Sequence, residues 1–164
     1  WKKLDILTGK NVIKIACRRD EALFLDTRGT VWSCSTLNNT DPSYVSTDDY
    51  DVTKPTKMEY FMENEIDIRD IKCGENFSIA IDFDGQIYSW GNGQDGQLGH
   101  GELKSLNEPR LIDRLKNKVI TQIECGRRHC YAKSEDGMHY LWGSNYYQEC
   151  LKENRRDEIS VNLP

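Results

Sequence analysis

Residues 73–101 read CGENFSIAIDFDGQIYSWGNGQDGQLGHG, and two structures compete for them. Gly91, Gly93 and Gly96 spell G-x-G-x-x-G, the spacing of a dinucleotide-binding loop. Such a loop must open a helix whose N-terminal amides face the pyrophosphate. Here the chain continues QLGHGELKSLNEP, with Gly99, Gly101 and then Pro109, a composition that breaks helices. Asp113 lies 20 residues past Gly93, where a ribose-binding acid is sought, but that spacing alone is weak evidence. No G-x-x-x-x-G-K-S/T phosphate loop occurs. The glycines therefore read as turn residues between strands.

Working outward, the stretch is one copy of a repeat. IACRRDEALFLDTRGTVWSCS from Ile15, IKCGENFSIAIDFDGQIYSWG from Ile71 and IECGRRHCYAKSEDGMHYLWG from Ile123 align without gaps. Cys17, Cys73 and Cys125 share a column, as do Gly29, Gly85 and Gly137; Trp90 and Trp142 align with Cys34. The periods are 56 and 52 residues. FSIAIDF alternates as a half-buried strand does. FDGQ and EDGM place Asp-Gly between strand-like runs, the chemistry of a tight hairpin. A further β-rich run precedes each cysteine: NVIKIAC, IDIRDIKC and KVITQIEC. RLIDRLKNK has room for a turn or two of helix. Short antiparallel strands repeating about every 50 residues point to propeller blades.

The pattern resembles the regulator of chromosome condensation repeat family, whose motif is roughly C-G-x-x-H-S/T-x-A-L, then D-G, W-G and G-Q-L-G-x-G. The second unit supplies CGENFSIAI, DG, SWG and GQLGHG; the third CGRRHCYA, DG, LWG and a worn YQECL; the first only IAC, ALFL and RG. The resemblance assigns structural roles to Cys17, Cys73, Gly74, Gly85, Trp90, Gly91, Gly96, Gly99, Cys125, Gly126, His129, Gly137, Trp142 and Gly143. His129, in the family's His column, is expected to hydrogen-bond a neighbouring loop. The family fold is a seven-bladed propeller of four-stranded antiparallel blades. The expected structure is all-β: a β-propeller segment of about three such blades, part of a larger or oligomer-closed propeller. The expected units are 1–54, 55–106 and 107–158, with 159–164 beginning a further strand. A repeat array buries its core between neighbours, so an arc leaves blade faces uncovered at both ends.

The 164 residues are 37% hydrophobic and 30% charged, with four Trp and eight Tyr, as suits one packed domain. The net charge of −5 argues against a nucleic-acid binder. No apolar run approaches the ~20 residues of a membrane helix, so no membrane insertion is expected. Residues 36–70 carry nine acidic and three basic side chains and read as a solvated loop plus strand edges.

Six cysteines without a C-x-x-C are expected to be free, small and buried. They imply an intracellular, reducing setting, cytoplasmic or nuclear. Cys125, His129 and Cys130, with Cys150 and His139 as candidate neighbours, lack the paired spacings of structural zinc, so neither metal nor cofactor is expected. No nucleophile-base pattern stands out. Ser46, with Asp49 three residues on, resembles an acidophilic kinase site inside an ordinary loop. The sequons at Asn38 and Asn76 read as chance matches. Arg19 and Arg127 share a column and should emerge on one face; with Arg128 they form the candidate partner-binding rim, because the guanidinium fork suits carboxylate or phosphate.

The resemblance implies a non-catalytic protein–protein interaction module. One alternative is guanine nucleotide exchange on a small Ran-like GTPase, for which no segment matches the founding member's inserted β-wedge. The other is a structural piece completed by self-association.

Overall fold

The computed structural model describes residues 7–19, 21–35, 55–144 and the strand Ser160–Val161. Strands β1 (Val12–Cys17), β2 (Glu21–Asp26), β3 (Val31–Ser35) and β4 (Thr56–Lys57) form the first sheet. The second holds β5 (Ile68–Cys73), β6 (Phe77–Asp82), β7 (Ile87–Gly91) and β8 (Leu106–Leu111). The third holds β9 (Ile120–Cys125), β10 (His129–Ser134), β11 (His139–Gly143) and β12 (Ser160–Val161). Each is an antiparallel meander in chain order, so a short turn suffices at every β2–β3-type hairpin.

The hairpins share a device. Asp26 Oδ1 accepts from the amides of Arg28 and Thr30, and Asp82 Oδ1 from the Gln86 amide at 2.8 Å. The second oxygen of each takes a buried aromatic donor from the next strand, Trp32 Nε1 or Tyr88 OH. Burial pushes the Asp26 carboxyl up, but these hydrogen bonds outweigh it and hold the acid below its ordinary range.

Sheet packs on sheet through two apolar layers. Leu23, Leu25 and Val31 of the first sheet meet Ile68, Ile71, Ala80, Tyr88 and Trp90 of the second. Phe77, Ile79, Ile81 and Ile87 of the second meet Ile120, Ile123, Cys130, Ala132, Tyr140 and Trp142 of the third. Backbone bonds between matched columns set the stacking. The Ile68 amide donates to Gly29 O and the Ile120 amide to Gly85 O. At the other end, Arg19 N–H donates to Glu75 O and Glu75 N–H to Arg127 O. Inner strands are tied by opposite charges in matched columns, Lys14 with Asp70 and Lys72 with Glu124. The outermost inner strand differs. Ile15 is 59% exposed, whereas Ile71 and Ile123 in its column are fully buried.

The observed sheets correct the expected unit boundaries. The first sheet takes Thr56–Lys57 and the second runs to Leu111, past the limits at 54 and 106. Ser160–Val161 is a strand, but it pairs with β11 as the third sheet's fourth strand, not as the start of a further unit. The repeated motif marks the inner three strands; the fourth is recruited across the long connection that follows. Helix α1 (Glu59–Glu63), which the periodicity did not suggest, buries Phe61 edge-on against Tyr88 and Trp90. RLIDRLKNK yields one 3-10 turn at Asp113–Leu115 after β8. The first sheet keeps the register of the others despite its worn motif. Ser46, Asn38, Cys150 and YQECL lie outside the described residues.

Candidate partner-binding face

The turns from first to second strand of all three sheets meet at one end of the inner strands. They line a groove of about 530 Å³ formed by Cys17, Arg18, Arg19, Cys73, Gly74, Glu75, Cys125, Gly126 and Arg127. The matched cysteine columns therefore converge. Cys17 is exposed, Cys73 and Cys125 are half-buried, and Cys130 alone among the described cysteines is fully buried. This corrects the expectation of uniformly buried thiols: a column at a strand end opens onto the rim. Burial pushes the Cys73 thiol up to about 12, against the pull of its Ser78 contact, so it is a poor nucleophile.

Each turn has its own filling. A side chain at Gly74 would run into the Phe77 ring, and one at Gly126 into the His129 imidazole. The aromatic ring three residues on lies where a Cβ would be, which is why Cys-Gly precedes it. His129 thus packs over Gly126, and no described residue hydrogen-bonds its ring. The first sheet solves the same turn with charge. Arg18 replaces the glycine and Glu21 the ring; Arg18 Nε lies 3.0 Å from Glu21 Oε2, both side chains 6% exposed. Arg18 Nη1 donates to Asn76 O, and Ser78 Oγ to Glu21 Oε2. The pair bridges first and second sheets.

The three rim arginines are not alike. Glu75 occupies the column of Arg19 and Arg127. Its carboxylate accepts from Arg127 Nη2 at 2.8 Å and Nε at 3.0 Å, and from Arg128 Nε at 3.3 Å. Arg128 Nη1 also reaches Asp95 at 3.3 Å. These guanidinium bonds hold the Glu75 carboxyl at about 2. Arg127 and Arg128 thus clamp second sheet to third. Arg19 is exposed, and no described residue engages its side chain. Glu75 is the rim residue that sequence reasoning missed. It sits in the arginine column, so the repeat alignment already held the signal.

The glycine loop also finds its place. No helix leaves Gly96; Gly96 and Gly99 take φ +76°, a turn conformation that glycine alone adopts cheaply. The loop crosses to the third sheet, where Trp142 Nε1 donates to Gln97 O at 3.0 Å and Cys130 Sγ points to the same oxygen. Gly99 lies beneath the Trp142 indole, and Gly91 and Gly143 pass against the backbone of Asn76 and Arg128. Gly85 presses on Val119 and Ile120, while Gly137, its counterpart, meets nothing within 4 Å. Ser89 Oγ lies 3.0 Å from His100 Nε2, a pair that spacing did not reveal. Ser89 is fully buried and gives its proton to Leu98 O. Burial, with Arg110 nearby, lowers the His100 pKa. The pair anchors the loop.

Among the described residues no helix is long and apolar enough to cross a membrane. The family model described as "Regulator of chromosome condensation (RCC1) repeat" matches residues 84–132, and a second of the same description matches 68–97. The human E3 ubiquitin-protein ligase HERC2 is 35% identical over 141 residues, 85% of this chain but 3% of that protein. The crystal structure of human WBSCR16 superposes with TM-score 0.72 at 21% identity, covering 92% of this chain and 37% of that one. Prp20p from Saccharomyces cerevisiae gives 0.69 at 22%, covering 93% and 37%. These structures show the fold, and the chain spans a minor part of each relative. Three meander sheets stacked through matched columns, Cys-Gly and Trp-Gly at the repeat positions of the second and third, and the matches to the family model and to HERC2 place the chain in the RCC1 repeat family of β-propellers.

Proposed function

We propose that this chain is a non-catalytic protein-interaction module that seats its partner on the rim of first-to-second-strand turns. One observation carries the reading: three turns line a single groove in which the Arg19 guanidinium is exposed and unengaged by described residues, while Arg127, in its column, is held by Glu75. An acidic group on a protein partner is the natural ligand of Arg19. The setting is intracellular, where the unbridged thiols of Cys17, Cys73 and Cys125 remain reduced. The test is affinity capture with the full-length protein and its Arg19→Glu variant, quantifying each retained protein. The variant should lose the specific partner, and Arg127→Gln should keep it. Identical capture by wild type and Arg19→Glu sinks the reading.

A second reading, nucleotide exchange on a small GTPase, is supported by the fold shared with Prp20p, a protein that binds Gsp1p and histones. Accelerated nucleotide release from a GTPase panel checks it; no acceleration removes it. Completion by self-association draws support from the exposed Ile13 and Ile15, and a monomeric mass in solution removes that alternative.

A further inference from the structure

The hairpin end of the sheets, opposite the rim that carries Arg19, holds two apolar side chains that the repeat does not call for. In each sheet one backbone bond joins the residue after the second strand to the residue before the first. Thr27 N–H donates to Asn11 O, Phe83 N–H to Asp67 O and Glu135 N–H to Val119 O. All six residues are exposed, and four are polar, as suits a turn facing water. Phe83 and Val119 break the pattern, at 63% and 49% exposure.

The two meet across the junction of second and third sheets. Gly85, two residues past Phe83, is so close to Val119 that a Cβ there would come within 2.9 Å of Val119 Cγ1. Phe83 belongs to the second sheet, which is stacked on both faces. Asp67, in the column of Val119 on that same sheet, is also exposed, so a sheet stacked on the third leaves the Val119 position open. Met62 of α1, 53% exposed, stands at the same end. The charge around the pair has one sign. Asp67 and Glu135 are its backbone partners and Asp84 follows Phe83, and no described residue forms an ion pair with any of the three. Lys118 is taken by Asp136 at 2.8 Å, and Arg28 lies 3.9 Å from Asp26. Single exposed apolar side chains are ordinary; adjacent ones rimmed by charge mark an interaction surface.

We infer that this end seats a segment of a partner protein in which an apolar side chain is flanked by lysine or arginine. The apolar group covers Phe83 and Val119, and the cations meet Asp67, Asp84 and Glu135. A second copy docked like to like would set these acids against themselves. A second copy offering its opposite rim brings arginines, but the groove there is lined by Cys, Gly, Glu and Arg, with no large apolar side chain to cover Phe83. A phosphate-bearing surface is repelled by the same carboxylates. The site is separate from the rim and does not rest on the reading of Arg19.

The experiment selects a displayed library of random short peptides on the full-length protein, with the Phe83→Ser variant as counter-target. Peptides kept by wild type and lost on Phe83→Ser should be enriched in lysine or arginine beside an apolar residue. A synthetic copy of the most enriched peptide should bind more weakly as salt rises. Its affinity should fall at least about tenfold on Phe83→Ser, as loss of a central apolar anchor does, and about fivefold on Glu135→Lys. Arg19→Glu should leave it unchanged, which keeps this result apart from that of the rim. Thermal melts of each variant establish that it folds, and Val119→Ser supplies a second position on the patch if Phe83→Ser does not. Absence of any Phe83-dependent peptide, or Phe83-dependent peptides that are acidic or uncharged, overturns the inference. So does a peptide-free mass of two copies that Phe83→Ser returns to one.

Discussion

Gly74 and Gly126 differ from most glycines in the chain because a ring occupies the space of their missing side chains. Gly126→Ala should destabilise the protein by about 1–3 kcal/mol, as overpacking does, and His129→Ala in the same molecule should recover most of the loss. Urea unfolding of the two single variants and the double variant measures this; additive losses would place the ring elsewhere. Glu75 offers a pH test. Its folded carboxyl titrates near 2 against an ordinary 4.5. Its contribution is complete above about pH 4.5 and disappears as pH falls toward 2. Asp136, held at about 2 chiefly by Lys118, loses its share over a similar range. Glu75→Gln should flatten the acid limb of stability against pH, leaving the Asp136 share. A limb as steep as wild type would contradict the clamp.

Between elements, the first turn shows two chemistries meeting one geometric demand. Arg18 and Glu21 are buried between sheets, so Glu21→Gln should cost about 3–5 kcal/mol by leaving a buried charge uncompensated. Arg18→Gly with Glu21→Phe, which copies the second sheet, should cost far less. If the double variant is as unstable as the single one, the turns are not equivalent. The tryptophans make a second comparison. Trp142 Nε1 bonds Gln97 O, whereas Trp90 Nε1 is buried with no hydrogen-bond partner among the described residues. Trp142→Phe should therefore cost about 1–3 kcal/mol more than Trp90→Phe, read from denaturation midpoints at constant m-value.

For the molecule as a whole, stability is a chain of nearest-neighbour interfaces. The isoleucine column reports each interface in turn. Ile71→Ala removes a fully buried side chain between sheets and should cost about 2–5 kcal/mol. Ile15→Ala, at a position 59% exposed, should change the stability of the 164-residue chain by no more than about 0.5 kcal/mol. Equal losses at the two sites would mean that something covers the first sheet in solution.

How much could be read beforehand follows from the range of each interaction. Strand alternation, the Asp-Gly hairpins and the matched cysteine, glycine and tryptophan columns are properties of neighbouring residues, so three repeats of antiparallel strands and the rejection of a nucleotide loop were legible in the chain. The roles of the aligned arginines were not. Alignment placed Arg19 and Arg127 in one column, but only stacking the sheets put Glu75 against Arg127 and Arg128 and left Arg19 without a described partner. The Arg18–Glu21 pair and the Gln97–Trp142 bond arise in the same way. Short-range backbone preferences determined the unit from sequence; the pairing of charges and donors across sheets depended on distances that only the tertiary structure sets.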